Sequence, residues 1–266
     1  MIDIGLNLAS GQFKNDRFQI IQNAQKAGVN GFILTGTSLK DSHLVLKESC
    51  KNPTIMRSTY GVHPHVASEL IDDKIILEQG KHKNVIAIGE CGLDYDRMRS
   101  TKDEQIKALE IQLNVAHKLN KPVFLHIRPK IGDEKTVMND FSQIYKKYNC
   151  RGVVHCFTGN KTMLDILLDM GLYIGLTGWV ADKRRSQELS KIVKYIPEDK
   201  IMIETDAPYL TPQNMPKELF KRRNEPKFLK YVLEAVSGCY KMSSEEMEEI
   251  TDENVENLFK WRPEHE

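Results

Sequence analysis

Short apolar, β-branched runs recur along the chain at spacings that leave room for one helix between each pair. Ile2–Leu8, Gly31–Leu34, Thr54–Val62, Val85–Ile88, Pro122–Leu125, Gly152–Val154, Leu172–Leu176 and Ile201–Ile203 each read as a strand. The stretches between them carry helical periodicity near 15–26, 41–51, 72–80, 101–119, 133–147, 161–170 and 184–195. Two further helices, near 225–238 and 244–259, follow the last strand. Thr101 and Glu104 stand in capping-box spacing, which marks the start of the longest central helix. Near-continuous apolar strands alternating with helices imply a parallel sheet covered on its outer face. About eight such units predict a (β/α)₈ barrel. An open doubly wound sheet is the rival, but no GxGxxG follows the first strand. No linker or low-complexity segment interrupts the pattern, so one domain over residues 1–266 is expected.

Several strand candidates end in a chemically expensive residue. The Val85 run meets Gly89 and then Glu90, with Cys91, Gly92, Leu93 and Asp94 reading as a tight turn. Pro122–Leu125 ends in His126, and Gly152–Val154 ends in His155. Ile201–Ile203 ends in Glu204, Thr205 and Asp206. A carboxylate at the end of a buried strand is costly unless it meets a cation or a donor. Any one of these imidazoles or acids could be a satisfied core group or a helix cap. Glu90, His126, His155 and Asp206 at the same topological position point instead to one rim. Barrel enzymes place their catalytic groups on that rim. Imidazole and carboxylate together are ligands for a divalent ion such as Zn²⁺, Mn²⁺ or Mg²⁺. His63 and His65 end the third strand, about 7 Å apart if extended, and can serve as ligands, substrate contacts or proton shuttles.

The remaining composition narrows the setting. Net charge is +1 over 266 residues, so any affinity for nucleic acid must be local. The strand-end loops hold Arg97, Arg99, Arg128, Lys130, Lys183, Arg184, Arg185, Arg222 and Arg223, beside Tyr95, Phe157, Trp179 and Tyr209. Cations next to aromatics suit a phosphate-bearing, base-stacking substrate. Arg222 and Arg223 precede Asn224-Glu225-Pro226, where the alternative is that one of them pairs with Glu225 as structural support. Five cysteines without a CxxC pair suit a reducing compartment. No long apolar run or secretory leader is visible, so a cytoplasmic protein with no membrane association is expected, with the nucleus as an alternative. A monomer is expected.

Taken in order, IDIGLNL, GVHPH, AIGECGLDYD, PVFLHIR, VVHCFTG, LYIGLTGWV, IETDAPYL and RRNEP span nearly the whole chain. Together they resemble the TatD family of metal-dependent hydrolases, and closely its deoxyribonuclease branch. The resemblance implies a TIM barrel of the metallo-dependent hydrolase type, a divalent metal site and 3′-5′ exonucleolytic hydrolysis of DNA. It implies metal and catalytic roles for Glu90, His126, His155 and Asp206, with His63 and Arg128 near the substrate. His65, Arg222 and Arg223 are the further candidate substrate contacts. Many members of the family carry His-x-His at the end of the first strand, where this chain has Gly5-Leu6-Asn7. Glycine offers no ligand and Asn7 only a neutral amide, so one tight metal site and at most a weaker second are expected. The same scaffold could instead attack an ester or amide, as in removal of a D-aminoacyl group from tRNA, and RNA is an alternative to DNA.

Overall fold

The computed structural model describes residues 1–182, 189–220 and 223–264. Lys183, Arg184, Arg185, Arg222 and the first half of the helix expected near 184–195 lie outside the described residues.

Eight parallel strands follow one another around the sheet in sequence order: β1 (Ile2–Leu6), β2 (Gly31–Leu34), β3 (Met56–Tyr60), β4 (Val85–Asp94), β5 (Val123–Arg128), β6 (Gly152–Val154), β7 (Tyr173–Leu176) and β8 (Ile201–Ile203). The sheet closes on itself through a parallel bridge between Leu6 and Ala207. Asn7 N donates to Ala207 O at 3.0 Å, and Asp206 N donates to Gly5 O at 2.9 Å. The α-helices of the described residues are α1 (Arg17–Lys26), α2 (Leu39–Ser49), α3 (Lys74–Gly80), α4 (Lys102–Leu119), α5 (Glu134–Tyr145), α6 (Lys161–Asp169), α7 (Leu189–Val193), α8 (Leu229–Tyr240) and α9 (Ser244–Phe259). The expected TIM (β/α)₈ barrel is the observed one.

The long helix α4 starts where its capping box predicts, with Thr101 and Glu104 bonding reciprocally. Its buried face carries two glutamines among apolar residues. Gln112 accepts from Val62 N at 2.7 Å and donates to Val62 O at 3.0 Å. Gln105 accepts from Asp94 N at 2.8 Å and donates to Asp94 O at 3.2 Å. Fully buried amides of this kind are costly unless satisfied. Here they clamp the chain just before His63 and at the end of β4.

One expected element is corrected. Gly89 to Asp94 do not form a turn after a short strand; β4 runs through all of them to Asp94. The two glycines, read as breakers, are places where β4 passes against the β5 backbone. A Cβ on Gly89 would stand 2.2 Å from Phe124 O, and one on Gly92 1.8 Å from His126 O. The register slips between Gly89 and Cys91, so Glu90 is the extra residue of a bulge. At the other end of the barrel, α9 and the segment after it pack across the strand starts. Leu258, Phe259 and Trp261 join Ile2, Ile4, Ile86, Phe124, Val153 and Met202 in one apolar cluster.

Candidate active site

Glu90, carried inward by the bulge, is 4% exposed. Three imidazoles converge on its Oε1. His63 Nε2 lies at 3.2 Å, His126 Nδ1 at 3.1 Å and His155 Nε2 at 2.7 Å. His63, Glu90 and His126 form a cluster whose ligand atoms all lie within 4.8 Å of one another, close enough to share a cation. Donor groups of this type suit Zn²⁺, Mn²⁺ or Mg²⁺.

Each ring has a second partner that fixes its orientation. His63 Nδ1 accepts from His65 N at 3.0 Å, so the neutral ring carries its proton on Nε2, toward Glu90. His126 Nε2 lies 3.3 Å from Asp94 Oδ2. His155 Nδ1 lies 3.4 Å from Glu204 Oε2. Asp94 and Glu204, both fully buried, thus stand behind His126 and His155 as the carboxylates behind metal-binding histidines commonly do.

The electrostatics follow this arrangement. Burial alone would lift Glu90, but the charge of His155, the facing His63 ring and the hydrogen bonds from His126 and His155 outweigh it and hold Glu90 well below the usual carboxylate range. Burial would depress His155, yet Glu90 and Glu204 raise it well above an ordinary imidazole. For His63 burial wins over the pull of Glu90, and its pKa falls to about 4. Burial also raises Asp206 to about 7, with Glu204 and Glu90 adding to the rise and His155 opposing it. A mouth crowded with Glu90, Asp94, Glu204 and Asp206 is one a divalent cation would relieve.

Asp206 adopts a left-handed backbone conformation (φ 52°) and receives a hydrogen bond from Asn7 Nδ2 at 2.7 Å. Its loop is pinned from both sides. Asn224 Nδ2 donates to Thr205 O at 2.9 Å and to Tyr209 O at 2.7 Å. Asp3 of β1 accepts from Thr205 N at 2.9 Å and from Thr205 Oγ1 at 2.5 Å. Asp3 and Asn224 were not legible as site support, because neither is near Asp206 in sequence.

Of the candidate substrate contacts, His65 lies 2.7 Å from Asp94 Oδ2 through its Nε2, and Arg128 lies 3.7 Å from the same oxygen. Both remain partly exposed at the mouth. Arg223 is engaged elsewhere. Its guanidinium bonds Asp16 and Gln12 O, lies 3.6 Å from Glu225 and covers the Phe13 ring at 4.7 Å. These contacts match the supporting role left open from the sequence. Two of the rim aromatics are not available for stacking: Phe157 is buried, and Tyr95 is buried with its hydroxyl 2.8 Å from Asp140. Tyr209 is 52% exposed.

Two residues escaped the sequence reading. Asp94 was placed in a turn; a strand continuing from Glu90 would have set residues 90, 92 and 94 on one face, apart from the bulge. Glu204 was seen only as part of a strand end. Its carboxylate fills the space over Gly5, where a Cβ would stand 2.0 Å from Glu204 Oε2. The missing side chain on β1 is therefore the room that Glu204 occupies.

Imidazoles and carboxylates gathered at the C-terminal ends of the strands of a parallel barrel are the arrangement that metal-dependent hydrolases use. Comparison of the whole chain narrows this to one family. The model of the TatD related DNases matches residues 2–260, and the chain belongs to that family. The 3′-5′ ssDNA/RNA exonuclease TatD of Pectobacterium parmentieri is 42% identical over 264 residues, covering 98% of this chain and 99% of the relative. The protein of the same name from Escherichia fergusonii is 40% identical over 261 residues, 97% of this chain and 98% of the relative. Among solved structures, a TatD family hydrolase from Entamoeba histolytica superposes with a TM-score of 0.82 at 27% identity, covering 97% of each chain.

Proposed function

We propose that this chain is a divalent-metal-dependent nuclease that removes nucleotides from the 3′ end of single-stranded DNA or RNA. The observation that carries the reading is the convergence of His63, His126 and His155 on Glu90 Oε1, with Arg128 beside them at the open mouth. The full-length similarity to proteins named 3′-5′ ssDNA/RNA exonuclease supports the polarity and the substrate.

Glu90, His126 and His155 would hold the main metal ion, with Asp206 at its edge. Bound there, the ion would supply an activated water and neutralise phosphodiester charge. With Asp94 facing His126 Nε2 and Glu204 facing His155 Nδ1 as proton acceptors, His126 Nδ1 and His155 Nε2, the atoms toward Glu90, would be the ones to ligate the ion when it is bound. Asp206, oriented by Asn7, takes the proton from the attacking water. His63 is held neutral with its Nε2 proton facing inward, and donates to a nonbridging phosphate oxygen or to the leaving oxygen. Arg128 balances charge on the scissile phosphate. One domain, one tight metal site and a cytoplasmic location accompany this reading; no helix of the described residues is long and apolar enough to cross a membrane.

The test uses protein stripped with chelator and reloaded with Mg²⁺, Mn²⁺ or Zn²⁺. A 5′-labelled single strand should shorten stepwise from its 3′ end only when metal is present. Calorimetric metal titration should give one tight site and at most one much weaker one. Absence of nuclease activity with all three ions would refute the reading. Release of the aminoacyl group from aminoacyl-tRNA without shortening would favour the deacylase alternative.

A further inference from the structure

The end of the barrel opposite the catalytic mouth holds a cavity of about 390 Å³, within the range of small-molecule sites, roughly 300–1,000 Å³. Its walls come from the strand starts, the end of α9 and the segment that follows it. Six of the lining residues are cationic: Arg57, Lys81, Lys83, Lys121, Arg151 and Lys260. Among the described residues that line it, none is an Asp or a Glu. For a chain of net charge +1, this is a strong local concentration of one sign.

The three cations nearest the strands bond carbonyl oxygens rather than carboxylates. Lys121 Nζ donates to His82 O at 3.0 Å and to Val85 O. Arg57 donates to Met56 O at 3.0 Å and to Pro53 O, and its guanidinium lies 5.1 Å from the centre of the Trp261 ring. Arg151 donates to Leu258 O at 3.4 Å. Carbonyl dipoles hold these groups in place without cancelling their charge. Burial lowers Lys121 to about 8, and it lowers Arg57 as well, with Glu264 the acid that partly restores it. Lys81, Lys83 and Lys260 are exposed at the opening. Half-buried Arg57 and Lys121, with Arg151, Lys81, Lys83 and Lys260 exposed around them, form a cradle for clustered phosphate oxygens.

We propose that this cavity is a binding site for a small molecule carrying two or more adjacent phosphate groups, such as a nucleoside polyphosphate or an inorganic polyphosphate. The site is separate from the hydrolytic mouth, because its residues precede the strands whose far ends carry Glu90, His126 and His155. It does not depend on the nuclease reading.

Calorimetry on the full-length protein in the presence of chelator tests it, with inorganic tripolyphosphate and ATP as probes. Tripolyphosphate should bind saturably and more weakly as salt rises. The double variant Lys83→Gln/Lys260→Gln removes two exposed ammonium groups without touching the core, and should weaken binding about tenfold or more. Glu90→Gln should leave it unchanged. Tighter binding of ATP than of tripolyphosphate would add a nucleoside contact to the same site. The proposal fails if tripolyphosphate does not bind, if the double variant binds as well as wild type, or if Glu90→Gln abolishes binding. It fails equally if only a single-stranded oligonucleotide binds, which would make the surface part of a strand path.

Discussion

Replacement of Asp94 by Asn tests the orientation of His126 with almost no change in shape. The Asp94 carboxylate accepts on both oxygens. Oδ1 takes Asp96 N at 3.1 Å and Arg97 N at 2.8 Å. Oδ2 faces His65 Nε2 at 2.7 Å and His126 Nε2 at 3.3 Å. An asparagine has one oxygen. Turned toward the two backbone N–H groups, it presents its NH₂ to both imidazoles. His126 Nε2 must then accept, and its proton moves to Nδ1, the atom that faces Glu90 Oε1. That tautomer has no lone pair to offer a metal on the Glu90 side. Loss of such an outer carboxylate typically costs about 10–100-fold in metal affinity or activity, roughly 1.4–2.7 kcal/mol. Metal affinity from competition with a chelator and kcat on single-stranded DNA should fall together in Asp94→Asn. The lost charge–charge contacts should lower the melting temperature only modestly, since the backbone hydrogen bonds survive. Unchanged metal affinity and rate in a folded Asp94→Asn protein would refute the proposed orientation of His126.

Glu90→Gln and His126→Ala should each lower kcat by at least about 10²-fold, a barrier change of about 2.7 kcal/mol or more, with bound metal falling in parallel; full activity in either folded variant would remove that residue from the site. Arg223→Ala should lower the melting temperature by breaking the contacts to Asp16 and Gln12, while the slope of log K against log salt for DNA binding stays at the wild-type value; a slope flattened by about 0.7 would make Arg223 a phosphate contact after all. Burial raises Asp3 to about 7, with its hydrogen bonds from Thr205 opposing the rise. An acid whose folded pKa lies above its unfolded value binds more protons when native, so its ionisation removes stability as pH rises from about 4 through 7, by at most roughly 4 kcal/mol. Asp3→Asn, which mimics the protonated form, should flatten the measured stability over that window, and an unaltered pH profile would show that Asp3 is not the group responsible.

The elements and their order were legible in local sequence because both periodicities are local properties. The Thr101–Glu104 capping box located the start of α4, and the apolar runs located all eight strands. The positions of His126 and His155 were legible for the same reason: an abrupt change from apolar to ionisable residues at a strand end is visible without neighbours. Length was misread where glycine was involved. Gly89 and Gly92 have the signature of a turn, but their lack of a Cβ serves the close passage of β4 along β5. Which of the two uses a glycine has depends on a strand more than 30 residues away.

By itself, then, the sequence determined a closed parallel barrel, the rim on which its ionisable residues stand, and a family resemblance carried by motifs spread over nearly the whole chain. Only the tertiary structure decided how those residues divide their roles. Asp94 and Glu204 became the supports of His126 and His155, and Gly5 became the space that Glu204 fills. Asp3, near the start of the chain, and Asn224, beyond β8, became the clamps of the Asp206 loop. Arg223, one of a pair of adjacent arginines, was joined to Asp16. The physical reason is common to all of them. A hydrogen bond or an ion pair depends on a distance between two side chains, and closure of the barrel brings β1 beside β8, about 200 residues apart in sequence. No periodicity in the chain encodes that distance.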